Sequence, residues 1–324
     1  MKILKFKISN FNKYLIFSIS ILFIYLFYLS IPTLYNKDLL QKELTEKILK
    51  EHNLNISLSS DITYLILPSP HILIKNAKIF NNDEKNPAEL SQIKKLKVFI
   101  SQKSLMKQKH MRITKLVISD ANFIVQNKDI DFYKSFLGKK FSDKKIVVKN
   151  SNFFYKDKSD NTISIFNIPN LNLFYNIDKE ENQINGNGES FQIPVDFKWS
   201  KNFIEKQVSN LKINFEKINL DLENIIIDEN EKKLGKNILA VGNAKFFTDF
   251  SFQKNSIKFN SNNSKIVNSL IEYDGIINLK PFYIDLNLVL EKINLNKFIL
   301  KNTILKEIIF SKILFDKNLS AKVN

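Results

Sequence analysis

Residues of the types that carry catalysis or bind metals are few in this chain, and they are widely spaced. The three histidines are His52, His71 and His110, and none of them stands at metal-ligand spacing from another. There is no cysteine, which excludes disulfides, zinc–thiolate centres and thiol catalysis. We therefore expect no metal site, and each histidine is expected to be an ordinary strand or loop residue.

The acidic residues and the glycines form no catalytic pattern either. No pair of carboxylates is singled out by its surroundings, and Asp120 and Asp274 are predicted to form turns. The segment Gly186-Asn187-Gly188 lacks the third glycine and the following helix of a dinucleotide-binding fingerprint. We therefore predict that the protein is not an enzyme and uses no cofactor.

The formal net charge of the 324 residues is +16, which invites the hypothesis of a nucleic-acid partner. Of the 49 Lys and Arg residues, however, Arg112 is the single arginine, and base recognition depends heavily on the bidentate arginine fork. The lysines are scattered rather than gathered into one block. We expect no nucleic-acid partner, whereas a mild attraction to anionic lipid headgroups fits the charge.

The amino-terminal region predicts a membrane anchor. Residues 14–31, YLIFSISILFIYLFYLSI, carry no charge, and as a helix they extend about 27 Å, close to the roughly 30 Å hydrocarbon thickness of a bilayer. Lysines favour the cytoplasmic side, so the basic tail at residues 1–13 is predicted to be cytoplasmic and the chain after Pro32 to lie across the membrane. That tail contains Lys2, Lys5, Lys7 and Lys13.

A cleaved signal peptide is the alternative interpretation of this region. Cleavage requires a small-residue site, which the segment around Ser30 and Pro32 lacks, and the first alanine of the chain is Ala77. An uncleaved signal-anchor helix is therefore favoured.

Residues 36–54 predict an amphipathic helix just outside the bilayer, because Leu40, Leu44 and Ile48 recur every four residues. Asp38 and Gln41 have the spacing of a capping box. The helix could simply pack on the end of the following domain, which is the simpler interpretation, or it could plug an apolar opening.

From residue 56 to residue 324 the apolar pattern has a period of two, which is typical of antiparallel strands with one apolar and one wet face. The clearest examples are 171–175, 211–215, 218–222 and 284–290. Turns are predicted at 81–83, 158–161, 185–188, 260–264 and 274–275, and helices at 129–137 and 295–312. The pattern alone favours a sandwich or barrel with a filled core; an open trough is the alternative.

Several short motifs follow one another in the first half of the chain. The first is Pro68 and Pro70 before the aliphatic strand of LPSPHILIKNAKIF, and the second is Leu96-x-Val98-x-Ile100 before Ser104-Leu105-Met106. The third is the strand with Ile113, Leu116 and Ile118, which ends in Asp120-Ala121-Asn122-Phe123. The fourth is the segment 146–175. In this order they resemble the amino-terminal region of the AsmA family, which are inner-membrane-anchored envelope proteins of Gram-negative bacteria. The resemblance covers residues 10–175.

This resemblance implies a long antiparallel β-sheet, curled into a taco-like groove with an apolar interior. It implies a single-pass protein of the inner membrane, with its bulk in the periplasm, that carries phospholipid between the inner and outer membranes or otherwise supports outer-membrane assembly. The strand after Pro70 would be an early wall of the groove. The expected lipid-lining residues are Leu171, Leu173, Leu211, Ile213, Phe215, Leu220, Leu222, Leu286 and Leu288.

The alternative is a non-enzymatic scaffold or assembly factor for outer-membrane or other envelope proteins, without lipid cargo. It would bind its partners through exposed sheet edges or through the helix predicted at 295–312. The chain departs from the family at Glu51-His52-Asn53, where a Thr-Gly-Arg-like turn is common. It ends in a strand-like pattern, LFDKNLSAKVN, so we expect a short or a truncated member.

Overall fold

The computed structural model of the chain describes residues 10–81, 87–106, 108–157, 159–203, 207–229, 232–267, 269–290 and 322–323. Strands take up 60% of these residues and helices 23%, which confirms the mostly β class. The chain divides into two compact units. Unit 1 comprises residues 1–136 and 144–151, and unit 2 comprises residues 137–143 and 152–324.

The first helix, α1 (Asn10–Ser30), continues as a 3-10 helix at Ile31–Leu34. Together they are long and apolar enough to cross a membrane, as predicted, and the helix begins four residues earlier than the uncharged segment. Of the four lysines predicted to orient the helix, Lys13 lies within α1, and Lys2, Lys5 and Lys7 lie outside the described residues.

The second helix, α2 (Lys37–His52), confirms the amphipathic helix predicted over 36–54, but its cap differs from the prediction. Asn36 is the capping residue, and its side-chain oxygen accepts a hydrogen bond of 2.9 Å from the backbone N–H of Leu39. This bond satisfies an otherwise unpaired amide of the first turn, so the capping box predicted at Asp38 and Gln41 is wrong. At the other end, Asn53 takes the left-handed conformation that closes many helices.

Unit 1 contains the first strands of the chain. They are β1 (Asn55–Ser57), β2 (Ile62–Leu65), β3 (His71–Phe80), β4 (Glu89–Ile100) and β5 (Ile113–Gln126), and the unit also holds the start of β6 (Lys145–Lys156). β3 pairs antiparallel with β1, β2 and β4, and β4 pairs with β5. Pro68 and Pro70 immediately precede β3, where they were predicted to set the start of pairing.

Unit 1 has a filled, dry core beneath α2. The helix contributes Leu40, Leu44 and Ile48, which are all buried. The largest fully buried side chains contributed by the rest of unit 1 are Ile72, Ile74, Leu90, Ile93, Leu96, Leu105, Met111, Ile113 and Leu116. The strand after Pro70 is therefore a wall of this core.

The helix predicted at 129–137 is confirmed as α3 (Ile130–Gly138). The helix predicted at 295–312 lies outside the described residues.

Unit 2 is built from strands that follow one another along the chain. They are β7 (Thr162–Asn176), β8 (Glu181–Ser190), β9 (Ile193–Asn202), β10 (Gln207–Phe215), β11 (Leu220–Glu229), β12 (Lys232–Val241), β13 (Ala244–Gln253), β14 (Ser256–Ile266), β15 (Ser269–Leu279), β16 (Phe282–Leu290) and a two-residue β17 (Lys322–Val323). From β7 to β16 each strand pairs antiparallel with the next. The predicted open, curled antiparallel sheet is confirmed.

Three of the predicted turns are wrong, because the residues lie inside strands. Segment 185–188 is in the middle of β8, 274–275 is in the middle of β15, and 260–264 is in β14, where the register shifts at a bulge. The hairpin between β8 and β9 instead turns at Phe191 and Gln192, which both have positive φ. Phe and Gln are not typical of that conformation, so composition could not reveal the turn.

The two aspartates predicted as turn formers also lie in strands. Asp120 has a φ of 55° within β5 and forms an ion pair of 3.1 Å with Lys95. Asp274 is paired with Asn287 across β15 and β16 and accepts a hydrogen bond of 3.2 Å from its amide. Ile218, predicted as a strand residue, lies in the 3-10 turn Glu216–Ile218 before β11.

The filled core favoured by the pattern alone is wrong for unit 2. Its buried apolar side chains are few, and Ala244, Ile266 and Ile271 form only a small cluster, in contrast to the larger core of unit 1. The buried apolar side chains of unit 2 are Ile168, Leu171, Tyr175, Val195, Val241, Ala244, Ile266 and Ile271. Most other apolar side chains of the sheet are half-buried.

Candidate functional site

The strand register of unit 2 places its apolar side chains on one face of the sheet. In an antiparallel ladder, residues directly opposite each other point to the same face, and alternate residues of one strand share a face. Phe197 lies opposite Ile213, Ile213 opposite Leu222, and Leu222 opposite Leu239. The same rule connects every neighbouring pair from β7 to β16. We call this surface the apolar face.

All nine residues predicted to line a groove lie on the apolar face. β7 contributes Leu171 and Leu173, β10 contributes Leu211, Ile213 and Phe215, β11 contributes Leu220 and Leu222, and β16 contributes Leu286 and Leu288. The structure thus brings these residues onto one surface, and their contact with lipid stays a prediction.

Exposure varies over the apolar face, and Ile271 on β15 is only 1% exposed. Leu171 on β7 is 6% exposed, whereas Leu288 on β16 is 38% exposed. The seven other predicted residues are half-buried. An apolar surface that is neither buried nor fully solvated is suited to an apolar ligand.

Aromatic rings lie close against glycines on this face. Gly186 is opposite Phe197, and a Cβ added at Gly186 would lie 2.9 Å from the Cζ atom of that ring. Gly275 is opposite Phe259, with a corresponding distance of 2.6 Å. Both glycines had been predicted to be turn residues. A phenylalanine in the neighbouring strand was the sequence feature that could have indicated a glycine beneath a ring instead.

A row of polar side chains interrupts the apolar face across its middle strands. Asn224 lies opposite Asn237, and Asn237 lies opposite Thr248. The Thr248 hydroxyl is 2.6 Å from the hydroxyl of Tyr273, which belongs to β15. Amide and hydroxyl groups can hydrogen-bond carbonyl or hydroxyl oxygens, so a ligand on this face could place a polar group at this row.

Residues 139–142 cover one corner of the apolar face. The Asn182 amide donates to the carbonyl of Lys139 at 2.7 Å, and its oxygen accepts from the backbone N–H of Phe141 at 2.7 Å. The Phe141 ring also lies 6.2 Å from the ring of Trp199. This corner is therefore closed by the chain itself, and Asn182 was not identified from the sequence.

The opposite face of the same strands carries charges of both signs. Lys212 Nζ lies 2.8 Å from the carboxylate of Glu223. The hydrogen bond from Lys212 lowers the pKa of Glu223 below its usual value, and a second bond from Asn210 acts in the same direction. Such balanced, hydrated pairs are typical of a solvent-facing sheet surface.

Among the residues that the structure describes, no group of three or more His, Asp or Glu side chains could hold a metal ion. The three histidines are dispersed: His52 ends α2, His71 begins β3 and stacks on Phe99 at 5.0 Å, and His110 is exposed in the connection between β4 and β5.

No family model matches this chain, and no curated protein is significantly similar to it.

Proposed function

We propose that this protein is an AsmA-like, inner-membrane-anchored lipid carrier that holds the acyl chains of phospholipid on the apolar face of its periplasmic sheet. The observation that carries the proposal is the apolar face itself, which extends over ten consecutive strands and contains all nine lining candidates. The helix at Asn10–Leu34 supplies the anchor, with its amino terminus in the cytoplasm.

Passive transfer needs no covalent chemistry. Each methylene group removed from water contributes about 0.8 kcal/mol, so a long apolar strip is enough to hold an acyl chain. The headgroup stays in water, and the polar row through Asn224 and Asn237 offers hydrogen bonds to the ester or glycerol oxygens. Movement between the inner and outer membranes would follow the length of the face.

The test is native mass spectrometry with lipid extraction on the full chain, purified from membranes. We expect bound phospholipid, and we expect the variant Leu220→Asp with Leu286→Asp to lose most of it, because removing a carboxylate from water beneath an acyl chain is costly. The matched control is Ile225→Asp with Val289→Asp, which places two carboxylates on the same strands but on the opposite face.

The control is essential because lipid around α1 would remain bound in both variants. Equal lipid retention in the two folded variants would refute the lining assignment. A lipid-free wild-type chain that co-purifies with a stoichiometric envelope protein would favour the scaffold alternative instead.

A further inference from the structure

The connection between β4 and β5 is bound to the end of α1. The hydroxyl of Tyr28 donates to the backbone carbonyl of Gln102 at 2.6 Å, and the hydroxyl of Tyr25 donates to the Gln102 side-chain oxygen at 3.2 Å. Farther along, the side chain of Gln108 donates to the carbonyl of Asn36 at 3.0 Å. Each of these bonds joins residues more than seventy positions apart, and together they hold the connection, of which the structure describes residues 101–106 and 108–112, against the last turns of α1. We call this segment the basic connection.

These contacts determine the depth of the basic connection if α1 spans a bilayer. At about 1.5 Å per residue, the 21 residues of α1 extend roughly 31 Å, which matches the hydrocarbon layer. Tyr25 lies five residues before Ser30, about 7.5 Å inside the helix end. The hydroxyl of a tyrosine at this depth reaches towards the border of the hydrocarbon layer, where membrane tyrosines concentrate, and Tyr28 lies only two residues, about 3 Å, inside the helix end. Gln102, to which both hydroxyls are bonded, therefore lies at the border between the hydrocarbon and the lipid headgroups.

Exposed apolar side chains occur on the same part of unit 1. Leu34, at the end of the 3-10 helix that follows α1, is 83% exposed, and Met106 in the basic connection is 64% exposed. Leu67 is 80% exposed in the loop after β2, and β2 is tied to α1 by a hydrogen bond of 2.7 Å from the Tyr64 hydroxyl to the carbonyl of Leu29. Such side chains are stable in the interfacial layer of a membrane and costly in water.

A cleft of about 560 Å³ opens in the basic connection, and Arg112, the single arginine of the chain, lines it. The other lining residues are Ser101, Lys103, Ser104, Met106 and His110. Within the described part of the chain, neither Lys103 nor Arg112 is in a salt bridge, so both charges are available to a ligand.

The backbone of the cleft is held in place by its serines. The Ser104 hydroxyl accepts from the N–H of Arg112 at 3.0 Å and donates to the carbonyl of Ser101 at 2.8 Å. The N–H of Ser101 in turn donates to the carbonyl of Arg112 at 2.9 Å. A fixed loop that presents one guanidinium and one ammonium group matches the chemistry of a phosphate, because the arginine fork forms bidentate hydrogen bonds to phosphate oxygens.

We propose that this cleft binds the phosphate of an anionic phospholipid in the membrane that holds α1. The inference rests on the proposed membrane anchoring and is independent of acyl chains on the apolar face. The occupant is a membrane lipid rather than free phosphate, because the hydrogen bonds to α1 place the cleft beside the headgroup layer and the exposed apolar side chain of Met106 lines it.

The test uses the full chain in nanodiscs that contain equal amounts of phosphatidylglycerol and phosphatidylcholine. Native mass spectrometry after release from the nanodisc counts each lipid on the protein. We expect the wild type to retain phosphatidylglycerol preferentially, and Lys103→Gln with Arg112→Gln to reduce that preference about tenfold or more. Arg112→Lys, which keeps the charge and removes the fork, should fall between them.

The matched control is Lys50→Gln with Lys94→Gln, which removes the same charge from exposed positions of unit 1. Gln108 of the basic connection is bonded to Asn36, at the start of α2. Lys50 lies 13 residues after Lys37, the first residue of α2, and is therefore about 20 Å along the helix from that contact. An equal loss of preference in the control would overturn the proposal, since it would show a nonspecific charge effect. The proposal would also be overturned if millimolar inorganic phosphate displaced phosphatidylglycerol and bound the protein equally well in detergent. The site would then bind free phosphate rather than a membrane lipid.

Failure of this inference can be told apart from failure of the proposed function. A chain that does not enter nanodiscs would refute the anchoring, and with it both proposals. Preferential phosphatidylglycerol retention in the Leu220→Asp, Leu286→Asp variant would support the cleft even if the apolar face carries no lipid.

Discussion

The ring of Phe250 lies directly over Gly235, its partner across β12 and β13. A Cβ added at Gly235 would collide with three atoms of that ring. The glycine therefore leaves the space that the end of the phenylalanine ring occupies on the apolar face.

We expect Gly235→Ala to lower the free energy of unfolding by about 1–3 kcal/mol, because the methyl group forces the ring off its position. The single tryptophan of the chain, Trp199, lies on the same face of unit 2, so its fluorescence during denaturant unfolding is the measurement. Gly138→Ala is the control, since a Cβ there meets nothing within 4 Å, and its effect should stay within about 0.5 kcal/mol. Adding Phe250→Leu to Gly235→Ala should recover part of the loss, and an unchanged double variant would contradict the steric explanation.

The bulge in β14 leads to a second prediction. The register between β13 and β14 shifts between Lys245 and Asp249, and the N–H of Phe247 donates to the hydroxyl of Ser264 at 2.9 Å. Ser264 is 0% exposed, so Ser264→Ala would leave the half-buried amide of Phe247 without this partner and cost about 1–3 kcal/mol. Ser209→Ala, a half-buried position on β10, should cost less than about 0.5 kcal/mol by the same fluorescence assay. Similar costs for the two variants would show that the Ser264 hydrogen bond is not the stabilising contact.

A third prediction concerns the core of unit 1. Leu44 and Ile48 on α2 are both 0% exposed, so Leu44→Ala or Ile48→Ala should cost about 2–5 kcal/mol through the cavity left behind. Leu49→Ala is the control on the same helix, because Leu49 is 45% exposed. Hydrogen exchange of the β3 and β4 amides is the measurement: exchange should accelerate strongly in the core variants and little in the control. Unchanged exchange in all three would mean that α2 does not stabilise the sheet beneath it.

The fourth prediction is a pH dependence. The folded state lowers the pKa of Glu223, so its pair with Lys212 stabilises the fold above the unfolded pKa of a glutamate, about 4.3. That contribution is lost as the pH falls through the lower, folded pKa. Both side chains are partly exposed, which limits the contribution to about 0.2–1 kcal/mol.

The measurement is a double-mutant cycle of Glu223→Gln and Lys212→Gln, followed by Trp199 fluorescence at neutral pH and below pH 4. The coupling free energy should be favourable at neutral pH and should shrink in acid. A coupling that is the same at both values would exclude an ionic origin.

Much of this fold follows from local patterns in the sequence. The apolar run predicts α1, the four-residue recurrence of Leu40, Leu44 and Ile48 predicts α2, and alternation assigns residues such as Leu220 and Leu222 to one side of a strand. The assignment works because side chains alternate between faces with a period of two, whichever strands are the neighbours. Candidates on the same strand, such as Leu220 and Leu222, therefore share a face, whereas the register between strands decides that all nine share one.

Whether an apolar face is covered is decided only by contacts that are distant in sequence. In unit 1, α2 lies over the strands and the core is dry, whereas in unit 2 the apolar side chains stay half-exposed, although the alternating pattern is similar in both. The roles of Gly186 and Gly275 also depend on contacts that are distant in sequence. A glycine beneath a ring of the neighbouring strand and a glycine in a turn can have the same local sequence. The hydrogen bonds from Tyr25 and Tyr28 to Gln102 join segments more than seventy residues apart, so only the tertiary structure places the connection that contains Arg112 against the end of α1.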